Sequence, residues 1–153
     1  MDEIKTTAEA FENASLPNAR VAHADPNTPK TAEEIPLPAA VCKTPLEEKS
    51  PAEWAYERLV LYIRNFEEQL DSNHEVAMGF AGGEAGILRI QGIGFFAPDI
   101  ITFYGADTSG AKTQLVQHVS QLNVFLRAAP KESSEEEPNR IGFRLAAALE
   151  NRE

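Results

Sequence analysis

The residues best suited to chemistry lie in one glycine-bounded loop between an expected strand and an expected helix. Gly105 and Gly110 are followed by Lys112 and Thr113, which gives the pattern G-x-x-x-x-G-x-K-T. A phosphate-binding P-loop has the pattern G-x-x-x-x-G-K-[ST] in the same strand-to-helix context. Ala111 is an extra residue here, and it rotates Lys112 by about 100° around the helix axis. The spacing therefore argues against a nucleotide P-loop.

A less specific binding function remains open for this loop. Backbone N–H groups at a helix N-terminus can hold a small anion, and Asp107 and Ser109 are good helix N-cap residues. A turn-stabilising role explains Tyr104 and Asp107 equally well. The candidate ligand-binding residues are Tyr104, Gly105, Asp107, Ser109, Gly110, Lys112, Thr113 and His118.

A catalytic or metal-binding constellation is not expected. His118 falls in the apolar arc of the expected helix, which favours a residue at the edge of the core. Ser120 is expected on the far side of that helix, too far away to pair with the imidazole. Asp99 and Asp107 would be separated by more than about 15 Å of extended chain, too far for paired acid–base work. No two histidines share a helical face, so we expect no metal and no cofactor.

The composition limits the classes of partner. The chain has 153 residues, enough for one domain, and a net charge of −10 that argues against nucleic acid and anionic membranes. No apolar run approaches the roughly 20 residues of a membrane span, and the first residues lack the apolar segment of a signal peptide. The lone Cys42 excludes an intramolecular disulfide. We expect a cytoplasmic protein.

Residues 1–49 are predicted to be a disordered, proline-rich acidic arm. They hold six of the ten prolines and a single aromatic residue, too little apolar surface to offset the entropy of ordering. Two apolar islands interrupt the arm. The first consists of Ile4, Ala8 and Phe11, which can line a short helix. The second contains Ile35, Leu37 and Val41, which can dock on a partner as an extended peptide. An inert tail is the alternative.

A single α+β domain is predicted over residues 50–153. Ser50 is the expected N-cap, Pro51 occupies the first helical position and Glu53 completes a capping box. Apolar residues at helical spacing continue this helix to about residue 70.

Three strands are expected next, over residues 75–80, 86–96 and 100–104. The turn signal at residues 81–84 predicts a hairpin, and Gly92 suggests a bulge in the second strand.

Two further elements complete the predicted fold. Apolar residues at i, i+4, i+7 and i+11 predict a second helix over residues 111–127; they are Leu115, Val119, Leu122 and Leu126. Alternation over residues 141–145 predicts a fourth strand. The expected order is α-β-β-β-α-β, which forms a two-layer sandwich of two helices on a mostly antiparallel four-stranded sheet.

Five segments of the predicted domain carry a family resemblance. They are PAEWAYERL from Pro51, MGFAG from Met78, FYG from Phe103, QLVQHVSQLN from Gln114 and IGF from Ile141. Over about the last two-thirds of the chain, the sequence resembles an uncharacterised bacterial family of domains of unknown function. The resemblance implies a bacterial cytosolic setting, and it carries no activity, ligand or catalytic residue.

These observations favour a non-enzymatic protein-binding or scaffolding domain with a flexible arm and an unknown protein partner. The alternative is a domain that binds a small anion or nucleotide through the loop between Gly105 and Thr113. Self-association into a homo-oligomer is a third option.

Overall fold

The computed structural model describes residues 19–80, 86–131 and 136–151 of the chain. It is an α+β fold in which helices cover one face of an antiparallel sheet. The helices are α1 (Ala39–Cys42), α2 (Pro51–Glu68) and α3 (Ile141–Asn151). The strands are β1 (His74–Phe80), β2 (Ile87–Phe96), β3 (Ile100–Ala106), β4 (Lys112–His118) and β5 (Val124–Pro130). Their order in the sheet is β4-β3-β2-β1-β5.

The predicted first helix is confirmed as α2. The Ser50 hydroxyl oxygen accepts a hydrogen bond from the Glu53 backbone N–H at 3.1 Å, and Pro51 occupies the first turn. Leu59, Val60 and Ile63 are buried against the sheet. Local capping and periodicity were sufficient to define this element, because both signals lie within its own residues.

The predicted meander of β1, β2 and β3 is also confirmed. The register of β2 against β3 shifts between Ile90 and Gly92, so the expected irregularity at Gly92 is present. The β2–β3 turn contains a cis peptide bond between Ala97 and Pro98. The predicted turn at residues 81–84 lies outside the described residues.

The predicted helix over residues 111–127 is wrong. This stretch forms β4, a 3-10 turn at Val119–Gln121, and β5. In β4, exposed residues alternate with partly buried ones, as they do over the first four residues of β5. The apolar residues on the helix side of both strands pack on the core. Because the 3-10 turn lies between the two strands, apolar residues of the strands and of the turn recur along the sequence at intervals of three and four, which is also the spacing of an apolar helix face. Period-two alternation within each strand was the correct signal.

The predicted fourth strand at residues 141–145 is wrong as well, because α3 occupies this position. Its buried side is a helical stripe that consists of Ile141, Leu145, Ala146 and Leu149. The buried Glu67 carboxylate of α2 accepts hydrogen bonds from the N–H groups of Gly142 at 2.9 Å and Phe143 at 3.0 Å. This carboxylate satisfies donors that a helix start leaves open. A Cβ atom at Gly142 would lie 2.8 Å from the Arg64 Cα, so glycine allows the two helices to meet.

The described part of the predicted disordered arm, residues 19–49, packs along α2. Val41 is only 2% exposed and belongs to the core. The Lys49 ammonium forms a buried ion pair with Glu57 at 2.8 Å, and the Asn65 side chain donates to the Lys30 carbonyl at 3.0 Å. Prolines reduce the backbone entropy that such an extended segment loses on ordering. Residues 1–18, with the island at Ile4, Ala8 and Phe11, lie outside the described residues.

Candidate functional site

The loop that was expected to open a helix is instead the tight connection of the β3–β4 hairpin. One carboxylate oxygen of Asp107 accepts hydrogen bonds from the Ser109 N–H at 2.9 Å, the Ser109 hydroxyl at 2.6 Å and the Ala111 N–H at 2.9 Å. The Ser109 hydroxyl and then the Ala111 N–H lower the pKa of Asp107. Gly110 adopts a φ of 87°, which glycine permits. Because no helix begins here, the predicted anion site loses its geometric basis.

The remaining residues of the predicted ligand set lie on two faces of the sheet. We call the face directed away from α2 and α3 the open face. Tyr104, Lys112 and His118 lie on the open face, because they alternate with the core residues of their strands. Thr113 pairs with Gly105 and lies on the helix side. The structure therefore does not gather the predicted set into one pocket.

A hydrogen-bonded cluster at the end of β4 corrects a second prediction. The Ser120 hydroxyl lies 2.8 Å from His118 Nδ1, and His118 Nε2 lies 3.1 Å from Asp99 Oδ2. The expectation that Ser120 lies far from His118 is thus wrong, because the predicted helix is absent. The three residue types are those of a Ser-His-Asp triad, but the two ring nitrogens are exchanged, because a triad has serine at Nε2 and aspartate at Nδ1.

Two contacts give this cluster a structural role. The Ser120 backbone N–H also donates to His118 Nδ1 at 3.1 Å, which engages the lone pair that a general base needs. The His118 and Asp99 side chains are 50% and 42% exposed, so water competes for both of them. The backbone N–H of Val119 donates to the Asp99 carbonyl at 2.7 Å. The cluster closes the end of the β3–β4 ladder.

The three predicted docking residues differ in how exposed they are. Val41 is buried in the core and is unable to contact a partner, so its assignment is wrong. Ile35 is 38% exposed and lines a shallow cavity beside Leu61 of α2. Leu37 is partly buried against the core. The second island therefore contacts the domain itself.

A groove runs between α2 and β5 on the helix side of the sheet. It has a volume of about 420 Å³. Its walls are mainly apolar and consist of Leu59, Tyr62, Ile63, Leu122, Asn123, Val124 and Leu126. The sequence interpretation missed this groove because it assigned one wall to a helix. The alternation of Val124 and Leu126 with Phe125 and Arg127 was the signal that identifies the wall as a strand.

The groove lies beside a strand edge with open hydrogen-bonding groups. β5 is the last strand of the sheet and pairs only with β1 among the described strands. The Lys131 N–H donates to the Asn73 carbonyl at 2.9 Å. Since bonded and non-bonded pairs alternate in an antiparallel ladder, the backbone groups of Val124, Leu126 and Ala128 point away from β1. Two of these residues also form the groove wall.

Fold and groove together define a small α+β domain with an apolar channel along an open strand edge. The model of the family described as "Family of unknown function (DUF6173)" matches residues 46–144. The chain therefore belongs to this family, which confirms the resemblance to an uncharacterised family. Searches among curated proteins and among solved structures found no match.

Two further observations concern the described part of the chain. None of its helices is long and apolar enough to cross a bilayer. Within residues 19–80, 86–131 and 136–151, no cluster of three or more His, Cys, Asp or Glu side chains is arranged to hold a metal ion.

Proposed function

We propose that this chain is a non-enzymatic protein-binding domain whose partner adds an extended peptide to β5. The observation that carries the proposal is the coincidence of the open β5 edge with the apolar groove beside it. Strand addition obtains affinity from main-chain hydrogen bonds and specificity from pockets that take alternate side chains. The β5 edge offers the first feature, and the α2–β5 groove offers the second.

The groove specifies the chemistry of the bound segment. Its apolar lining, with Leu59 and Ile63 from α2 facing Val124 and Leu126 from β5, favours aliphatic or aromatic side chains at every second position of the peptide. On the open face, Arg127 lies with its guanidinium carbon 5.1 Å from the Phe125 ring centre. An acidic or neutral residue at the intervening peptide positions fits beside this cation.

The setting that we infer is the cytosol of a bacterium, where the acidic composition suits a freely dissolved domain. The resemblance noted above supports this setting.

Selection from a displayed random-peptide library tests the proposal. The peptides should match β5 in length, seven residues, and the full chain should serve as bait. We expect enriched peptides with apolar residues at alternate positions. Leu122→Lys places a charge on the groove wall, and we expect it to weaken binding of an enriched peptide at least about tenfold.

Val116→Lys is the matched control, because Val116 is 58% exposed on β4 at the opposite edge of the sheet. We expect this variant to keep the peptide affinity. If Leu122→Lys lowers the melting temperature, Asn123→Trp fills the groove from an exposed turn position instead. Failure to enrich any peptide, or equal affinity for wild type and both groove variants, would refute the proposal.

A further inference from the structure

We propose that β4 is the interface for a second copy of this chain. The two β4 strands pair antiparallel around a two-fold axis that passes beside Leu115, and they join the two five-stranded sheets into one. This inference does not depend on peptide binding at β5. It is carried by the backbone ladder, a buried polar atom and the charges at the ends of β4.

In this register, the outward backbone N–H and C=O groups of one β4 strand face those of the other. Val119 N–H donates to the Asp99 carbonyl at 2.7 Å, and Asp107 N–H donates to the Ala111 carbonyl at 3.0 Å. These bonded pairs fix the alternation of the β3–β4 ladder. The backbone groups that point outward therefore belong to Lys112, Gln114, Val116 and His118. With Leu115 on the axis, Gln114 lies opposite the partner's Val116 and Lys112 lies opposite the partner's His118, so outward groups face outward groups.

The helix side of β4 contains a buried acceptor without a donor. The side-chain oxygen of Gln117 is buried and has no hydrogen-bond partner among the described residues. A buried acceptor that is left without a donor destabilises the fold. In the proposed register, Gln117 lies opposite the partner's Thr113, whose hydroxyl now donates to its own Ala111 carbonyl at 3.0 Å. The chain's own atoms cover the Gln117 oxygen, so the Gln117 side chain must turn toward the partner before the Thr113 hydroxyl can donate to it. The partly buried Leu115 meets its own copy.

The open face of β4 adds apolar cover and charge complementarity. Val116 is 58% exposed, and the partner strand covers it. Asp99 contacts His118. Because the partner's Lys112 lies opposite His118 in this register, its ammonium comes close to the Asp99 carboxylate. Two Lys–Asp attractions related by the two-fold axis offset part of the repulsion between two chains of net charge −10.

Sedimentation velocity of the full chain tests the interface. We expect a particle of twice the 16.8 kDa chain mass. Gln114→Pro removes one outward N–H from β4, and proline is tolerated at edge positions whose N–H faces solvent. We expect this variant to be a folded monomer whose melting temperature is below that of the wild-type dimer, because association stabilises the folded chain. Ala128→Pro is the matched control, because it removes an outward N–H from β5, and it should remain a dimer.

A second variant covers the case in which Gln114→Pro does not fold. Val116→Lys changes an exposed side chain only, and we expect it to raise the dimer dissociation constant at least about tenfold. A wild-type monomer at all concentrations would overturn the inference. Dissociation by Ala128→Pro but not by the β4 variants would also overturn it, since the copies would then join through β5.

Discussion

The two edges of the sheet are equal in length and differ in what lies beside them. β4 and β5 each have seven residues, and each presents a row of outward backbone groups. Apart from Val116, the side chains on the open face of β4 are polar. The strand is anchored at both ends, by the Asp107 loop and by the His118 cluster. β5 borders the apolar groove against α2.

This difference indicates how an edge selects its partner. Backbone groups alone accept any extended chain, which makes an open edge a liability. In the proposed function, the groove at β5 adds a requirement for apolar side chains at alternate positions, and a foreign peptide is the expected partner. In the proposed dimer, the residues of β4 match themselves under a two-fold rotation, and a second copy is the expected partner.

The largest expected effect comes from Gly105, which pairs with Thr113 of β4. A Cβ atom there would overlap the Arg89 carbonyl oxygen of the bulged β2 strand. Because that neighbour is backbone, the strands must separate, and we expect Gly105→Ala to lower the free energy of unfolding by about 3 kcal/mol. Urea denaturation measures the change.

Gly79 provides the matched position beside β5, where it pairs with Phe125. A Cβ atom there would overlap the Phe125 ring, which is 42% exposed and can swing into solvent. We expect Gly79→Ala to cost only about 1 kcal/mol. If both substitutions lowered the free energy of unfolding equally, the packing beside β4 would be no more rigid than the packing beside β5, which would contradict this contrast.

An effect between those of the two glycine substitutions is expected from Glu75, which holds the end of β5. Its carboxylate accepts from the Asn139 N–H at 2.9 Å and from Arg89 at 3.0 Å. Arg89 in turn donates to the carbonyl of Pro130, the last residue of β5, at 2.8 Å. We expect Glu75→Ala to lower the free energy of unfolding by about 2 kcal/mol and to speed amide exchange in β5 more than in β4.

Glu75→Gln is the control for this prediction, since it keeps an acceptor for the Asn139 N–H and loses the charge together with the oxygen that accepts from Arg89. It should lose less stability than the alanine variant. Uniform acceleration of exchange across both edge strands would show that Glu75 supports the whole domain rather than the end of β5.

The smallest expected effect is a local dependence on pH at the β4 end. Hydrogen bonds from the Ser109 hydroxyl and the Ala111 N–H lower the pKa of Asp107 in the folded state. The stabilisation is therefore complete above the unfolded pKa and is lost as the pH falls through the folded pKa. We expect the amide shifts of Ser109 and Ala111 to titrate below the ordinary aspartate range. Asp107→Asn should abolish this titration, and an ordinary or raised pKa would contradict the loop geometry.

Elements with local signals were predictable from the sequence. Ser50, Pro51 and Glu53 define the start of α2 through local capping interactions. The first three strands are separated by turn residues, whose effect on the backbone extends over only a few positions. The Asp107 loop was also expected as a turn-forming segment. Only the helix that should have followed it is absent.

The errors arose where distant contacts decide the local structure. β5 forms because it docks on β1, with Phe125 over Gly79, and nothing within residues 111–127 signals that pairing. α3 depends on the Glu67 carboxylate for its N-terminal donors and on Gly142 for its approach to Arg64. The position of the groove was unpredictable for the same reason. Alternation over the first four residues of β5 indicates a strand, but only its pairing with β1 places that strand beside α2.

Residue-resolved amide hydrogen exchange, with and without a selected peptide, tests the central claim that β5 and its groove bind an extended segment. The account predicts that the peptide slows exchange at Val124, Leu126 and Ala128, whose N–H groups point away from β1. Exchange at Gln114 and Val116 on β4 should be unchanged by the peptide. Protection of the β4 amides by the peptide, or no new protection at β5, would contradict the account.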